Sequence, residues 1–137
     1  MIQIREIDHV VIRVHDLACM KQFYMQVLGC PIAREEPELG LYQLRAGASL
    51  IDLVPVDSPL GEQGGAAPQP DQHHNMDHVC VRVEPFDAEA ILAFLAEHGV
   101  EAGTVESRFG AEGRGPSIYI QDPEGNTVEL KGAPDLC

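Results

Sequence analysis

Apolar and polar positions alternate over the same short frame at two places in the chain. Residues 8–14 read DHVVIRV and residues 77–83 read DHVCVRV, so five of seven positions match at an offset of 69. Alternation of this kind marks a half-buried strand, with residues i and i+2 on one face. Val10, Ile12 and Val14 then form one face of the first strand, and His9, Val11 and Arg13 the other. In the second copy Val79, Val81 and Val83 oppose His78, Cys80 and Arg82. After each strand the period changes. Asp16 precedes a helical pattern that Gly29 stops, and Asp87 precedes one that Gly99 stops. An acceptor side chain at the start and a residue tolerant of positive φ just past the end are the boundary signals of a helix.

The likeness resumes downstream. Tyr42 precedes Asp52 by ten residues, and Tyr119 precedes Glu129 by ten. Turn signals fall between them, Arg45–Ala48 in the first copy and Asp122–Asn126 in the second. Each half therefore predicts a strand, a helix, and two or three further strands ending in a hairpin. The boundaries are residues 1–55 and 77–137, with a linker over 56–76 that is rich in Gly and Pro. Glu106–Pro116 carries three more glycines and reads as a loop at a binding mouth. Tyr42 and Tyr119 stand at matched places, where they could line a cup between the sheets, with core packing the favoured reading.

Charge narrows the choice of partners. Nine basic against 22 acidic residues leave a net charge of −13. Such a surface repels phosphate backbones and anionic lipid, so neither nucleic acid nor a membrane is the expected partner. No apolar run approaches the roughly 20 residues of a membrane helix. Met1–Glu6 lacks the basic-then-apolar order of a secretory signal, so a cytoplasmic location is expected. The cysteines at 19, 30, 80 and 137 fit no zinc-ribbon or CxxC spacing and read as reduced thiols, with Cys19 and Cys80 as small hydrophobes.

The candidate chemistry follows from the faces. Leu50, Asp52 and Val54 share one face of their strand, as do Thr127, Glu129 and Lys131. Each half thus sets one imidazole and one carboxylate on the face away from its helix. If the two sheets close on each other, His9, Asp52, His78 and Glu129 form an N₂O₂ set suited to Zn, Ni, Co, Mn or Fe, with positions left for substrate. One histidine on a half-exposed strand is ordinarily solvated. Four such residues at equivalent places in a duplicated unit are not independent cases. His73 and His74 lie in the Gly/Pro segment and are set aside as ligands; His15 and His98 flank helices and read as surface or capping residues.

The strings IDHVVIRVHDL, FYMQVLG, MDHVCVRV and SIYIQDPEGNTVEL together resemble the vicinal oxygen chelate superfamily, which includes glyoxalase I, epimerases, extradiol dioxygenases and bleomycin-resistance proteins. The resemblance implies an α+β fold of paired βαβββ modules forming a cupped mixed sheet with helices outside. It implies a metal held by His9, His78, Glu129 and Asp52, the last standing where glyoxalase I has a glutamate. Arg13 resembles the arginine that holds a glutathione carboxylate in glyoxalase I, and Arg108 and Arg114 are further candidates for an anion anchor. The implied activity is that of a glyoxalase I-like lyase or isomerase. It would chelate neighbouring oxygens of a small carbonyl substrate, with a thiol co-substrate, and move a proton through an enediolate-like intermediate. Glu129 is the expected base and Asp52 the second choice. A ring-cleaving dioxygenase on the same ligands and a metal-free drug-binding module are the competing activities. A homodimer is also implied; the modules could pair within one chain or exchange between two.

Overall fold

A computed structural model describes residues 1, 3–69 and 76–135; His73, His74 and Cys137 lie outside the described residues. The chain divides into two compact units, 1–72 and 73–137. No helix among the described residues is long and apolar enough to cross a membrane.

The first unit runs β1 (His9–Val14), α1 (Leu17–Gln22), β2 (Ile32–Glu36), β3 (Leu41–Ala46), β4 (Ser49–Pro55) and α2 (Pro59–Gln63). Its sheet has the order β1-β4-β3-β2. β1 lies parallel to β4, and β4, β3 and β2 follow as antiparallel neighbours. A parallel pair needs a long crossover, which α1 and the β2–β3 hairpin supply. Asp16 caps α1 by accepting from the Cys19 amide at 3.0 Å. The helix then widens into a π-helical stretch, Phe23–Val27, and ends at Gly29 with φ +69°. One sheet face carries Ile12, Val14, Leu44, Ile51 and Leu53, all buried, and Met20, Phe23 and Tyr24 are buried with them.

The second unit repeats the plan with β5 (Val79–Arg82), α3 (Ala88–Glu97), β6 (Glu106–Gly110), β7 (Gly113–Gln121) and β8 (Thr127–Lys131), in the order β5-β8-β7-β6. Asp87 caps α3 by accepting from the Ala90 amide at 3.1 Å. Ile118, Ile120, Val128, Leu130 and Leu95 are its buried apolar set. His98 closes α3, its ring 2.9 Å from the Phe94 carbonyl oxygen, and agrees with the capping role read from the sequence. Each unit is thus a βαβββ module, and the fold is α+β as expected.

Four expectations change. Glu106–Pro116 is not a loop but most of the β6–β7 hairpin. Gly113 turns the chain at φ +121°, and Gly110 and Gly115 are there for room. A Cβ on Gly110 would sit 2.7 Å from Cε of Lys131, and one on Gly115 would sit 2.5 Å from the Ala133 carbonyl oxygen. The expected linker holds a helix, α2, capped by Ser58, whose hydroxyl accepts from the Gly61 amide at 3.1 Å. Cys19 and Cys80 are exposed, and Cys30 is the buried thiol; the three are free.

The fourth change concerns the tyrosines. Tyr119 pairs across from Glu129, but Tyr42 pairs with Leu53, and Gln43 is the residue opposite Asp52. The hairpin turns explain it: residues 47–48 join β3 to β4, whereas residues 122–126 join β7 to β8. Two against five residues differ by three, an odd number, so equal sequence spacing lands on opposite faces. Tyr42 meets the Lys21 ammonium 5.2 Å from its ring, and Tyr119 occupies the face of the acid. The longer turn is organised by Asp122, whose Oδ1 accepts from the amides of Glu124 and Asn126, both at 2.9 Å.

Candidate functional site

The register confirms that the two acids hold equivalent places. Asp52 lies beside Val11 on the parallel strand, and Glu129 lies beside Cys80, the residue that matches Val11 in the repeat. Each histidine precedes or opens the neighbouring strand, on the same face as its acid.

Both imidazoles are oriented by the same device. Nδ1 of His9 donates to Oδ2 of Asp8 at 2.7 Å, and Nδ1 of His78 donates to Oδ2 of Asp77 at 2.7 Å. A carboxylate on Nδ1 fixes the tautomer and leaves Nε2 as the available donor atom, the arrangement found behind metal-ligating histidines. The bond to Asp8 raises the His9 pKa above 6.5, partly offset by desolvation and reinforced by the charge of Asp52. These two aspartates were not singled out in the sequence, although the repeated Asp-His dipeptide was the signal for them.

In the second unit the pair is closed. Nε2 of His78 lies 3.1 Å from Oε2 of Glu129. Glu129 is 4% exposed, and its Oε1 is buried without a hydrogen-bond partner. Around the pair stand Tyr119, edge-on to the His78 ring at 5.4 Å, and Cys80. Although Cys80 is exposed as a residue, partial desolvation of its thiol against the sheet pushes the pKa up to about 11, and the charge and hydrogen bond of Glu129 add to this while Lys131 opposes it. In the first unit the carboxylate is held differently. Gln43 donates its Nε2 to Oδ2 of Asp52 at 3.1 Å, and Oδ1 is buried and unpartnered.

The arginines separate. Arg108 lies on the Glu129 face: its guanidinium stacks 4.2 Å over the Tyr119 ring and donates to the hydroxyl and carbonyl oxygens of Ser117 at 2.7 and 3.1 Å. Arg114 pairs with Phe109 and shares the opposite face with Ile118, so it does not stand with Glu129. Arg13 stands on the Asp52 face, yet its terminal nitrogens donate to the carbonyl oxygens of Gly64 and Gly65 at 3.1 and 2.6 Å. Its repeat counterpart Arg82 reaches Glu112 at 2.7 Å.

The donor set suits a divalent transition metal: imidazole Nε2 atoms presented by oriented rings, and carboxylates each with one buried oxygen left unsatisfied. Among the described residues no three His, Cys, Asp or Glu side chains converge on one point.

These features define a duplicated βαβββ protein with one histidine–carboxylate pair per module. The sequence profile of the Glyoxalase/Bleomycin resistance protein/Dioxygenase superfamily matches residues 6–130, and the chain belongs to that family. It is 31% identical over 136 residues to a glyoxalase domain-containing protein of Mycosarcoma maydis, covering 98% of this chain and 72% of that one. It is 31% identical over 127 residues to a virulence protein of Salmonella typhimurium, covering 93% of this chain and 83% of the other. The crystal structure of that virulence protein superposes with a TM-score of 0.76 over 96% of this chain and 99% of the other, at 25% identity. A lactoylglutathione lyase from Agrobacterium tumefaciens shares the fold, with a TM-score of 0.64 at 20% identity, over 93% of this chain and 92% of that one.

Proposed function

We propose that this protein is a divalent-metal-dependent enzyme of the glyoxalase I-like, lyase or isomerase type. Its substrate is a small carbonyl compound with oxygens on neighbouring carbons, presented alone or as a thiol adduct. His9, Asp52, His78 and Glu129 would hold the ion. The two pairs would meet when modules associate, within one chain or between two copies in a homodimer. When bound, the metal supplies Lewis-acid polarisation of the substrate carbonyl. Glu129 removes a proton from the carbon beside that carbonyl, the electron pair of the broken C–H bond moving toward the carbonyl oxygen. It then returns the proton to the former carbonyl carbon while the hydroxyl proton moves from one oxygen to the other, or returns it to the other face of the same carbon; either change is an isomerisation that balances without oxidant or reductant. Asp8 and Asp77 keep the imidazoles in the ligating tautomer. Arg108, pinned on Tyr119 by Ser117, binds an anionic group of the substrate.

One observation carries the reading: both acids are buried with an oxygen unpaired, on the same sheet face as an imidazole whose Nδ1 is already committed. The membership of a lactoylglutathione lyase in the same fold supports it. The test is elemental analysis of the purified protein, followed by turnover of a methylglyoxal–thiol adduct, an acyl-CoA epimer and a catechol. Bound metal with isomerisation of the first or second is the expected result. Oxygen uptake with the catechol would instead make the protein a dioxygenase. Absence of metal after loading with Zn, Ni, Co, Mn or Fe would leave a metal-free binding module.

A further inference from the structure

The two acids are equivalent in the repeat but are held by different partners, and the residue that holds Asp52 has no role in the proposed function. Asp52 is 2% exposed. A carboxylate taken out of water is costly unless its oxygens are paired. At Glu129 the partner is the imidazole of His78, 3.1 Å away. At Asp52 it is the amide of Gln43, which faces it directly across the β3–β4 ladder and donates to Oδ2 at 3.1 Å. The second oxygen, Oδ1, is buried with nothing to bond. An aspartate is also a methylene shorter than a glutamate, so its reach depends on how the carboxylate is turned.

We infer that Gln43 is a positioning residue: it occupies one oxygen of Asp52 and fixes the plane of the carboxylate, so that the other oxygen is presented to the site. The inference rests on the metal reading for what Oδ1 receives, but not for the coupling between the two side chains. Tyr119 takes the corresponding place across from Glu129, so the repeat has given the two acids different neighbours on the antiparallel side.

The test is a double-mutant cycle with Gln43→Met, which keeps length and volume but removes the donor, and Asp52→Leu, which keeps the branched shape but removes the acceptor. Two readouts are taken. In the metal-free protein, urea unfolding should reveal a coupling of about tenfold in the folding equilibrium between the two positions. In calorimetric titration with Ni²⁺ or Zn²⁺, Gln43→Met should weaken binding by about 10- to 100-fold when Asp52 is present. It should have no further effect in the Asp52→Leu background. A coupling near unity in the metal-free protein overturns the inference, as does an equal loss of affinity in both backgrounds. Wild-type protein that takes up no metal defeats the proposed function alone, and the urea cycle still decides the role of Gln43.

Discussion

The two modules share a plan and differ in how they treat it. In the first, five buried residues of one sheet face pack with Met20, Phe23 and Tyr24, and Asp52 is served by a neutral amide. In the second, α3 buries only Leu95 fully and exposes 41% of Phe94, while Glu129 sits in a polar cluster with His78, Tyr119, Cys80 and Lys131. The equivalent arginines diverge in the same way: Arg13 ties down the backbone after α2, and Arg82 ties down the tip of the β6–β7 hairpin through Glu112. A duplicated scaffold thus keeps the strand positions that place the imidazole and the acid, and varies what surrounds them. The first module is the better-filled core, and the second is the richer chemical surface.

The sharpest way to break this comparison is to neutralise each acid. Glu129→Gln should lower turnover of the true substrate by about 10²- to 10⁴-fold, the range for losing a general base, with circular dichroism unchanged. Asp52→Asn should cost less. Equal losses, or a larger loss at Asp52, would reverse the assignment of the base. Next comes packing. Leu53 is fully buried and Leu130 is 5% exposed, so Leu53→Ala should cost about 2–5 kcal/mol and Leu130→Ala the lower part of that range. Urea unfolding followed by circular dichroism is the measurement, since the chain has no tryptophan. A larger loss at Leu130 would contradict the picture of the first module as the better-filled one.

Smaller effects test the details. Gly115→Ala would set a methyl 2.5 Å from the Ala133 carbonyl oxygen and should destabilise by about 1–3 kcal/mol. Removing the orienting carboxylates, Asp8→Ala or Asp77→Ala, should weaken metal binding by about 10- to 100-fold by calorimetry. The smallest effect is a titration. The bond to Asp8 raises the His9 pKa, so its ring should stay protonated to higher pH than 6.5 by NMR. Stabilisation from that pair is fully present below 6.5 and disappears as pH rises through the raised value. Asp8→Asn should return the midpoint toward 6.5, and an unmoved midpoint would exclude Asp8 as its cause.

Much of this was legible in the sequence because it rests on local periodicity. The strand frames, the Asp caps at 16 and 87 and the glycine stops at 29 and 99 are written in a few adjacent residues. So is the sharing of a face by Leu50, Asp52 and Val54. What was hidden depends on parity and on tertiary crowding. The tyrosines sit ten residues before their acids in both halves, yet turn length alone sends them to opposite faces. The glycines at 110 and 115 read as loop residues when they are clearing space for Lys131 and for the Ala133 backbone. Arg114 and Arg108 both looked like anchors, but their separation by an even count across a tight hairpin puts them on opposite faces of paired strands. Gln43 gave no signal, because a lone glutamine in a strand acquires meaning only from the residue opposite it.

The parallel pairing of β1 with β4, and of β5 with β8, has a consequence for assembly. The strand synthesised first in each module ends up beside the one synthesised last. A nascent module therefore carries its histidine long before it has an acid to set next to it, and the pair comes into being only at the moment of topological closure. Chemistry built this way vanishes whenever the edge strand next to the histidine, β1 or β5, peels off. A ligand spanning the two strands would act as a clasp on the whole module, protecting its amides from exchange far from the point of contact.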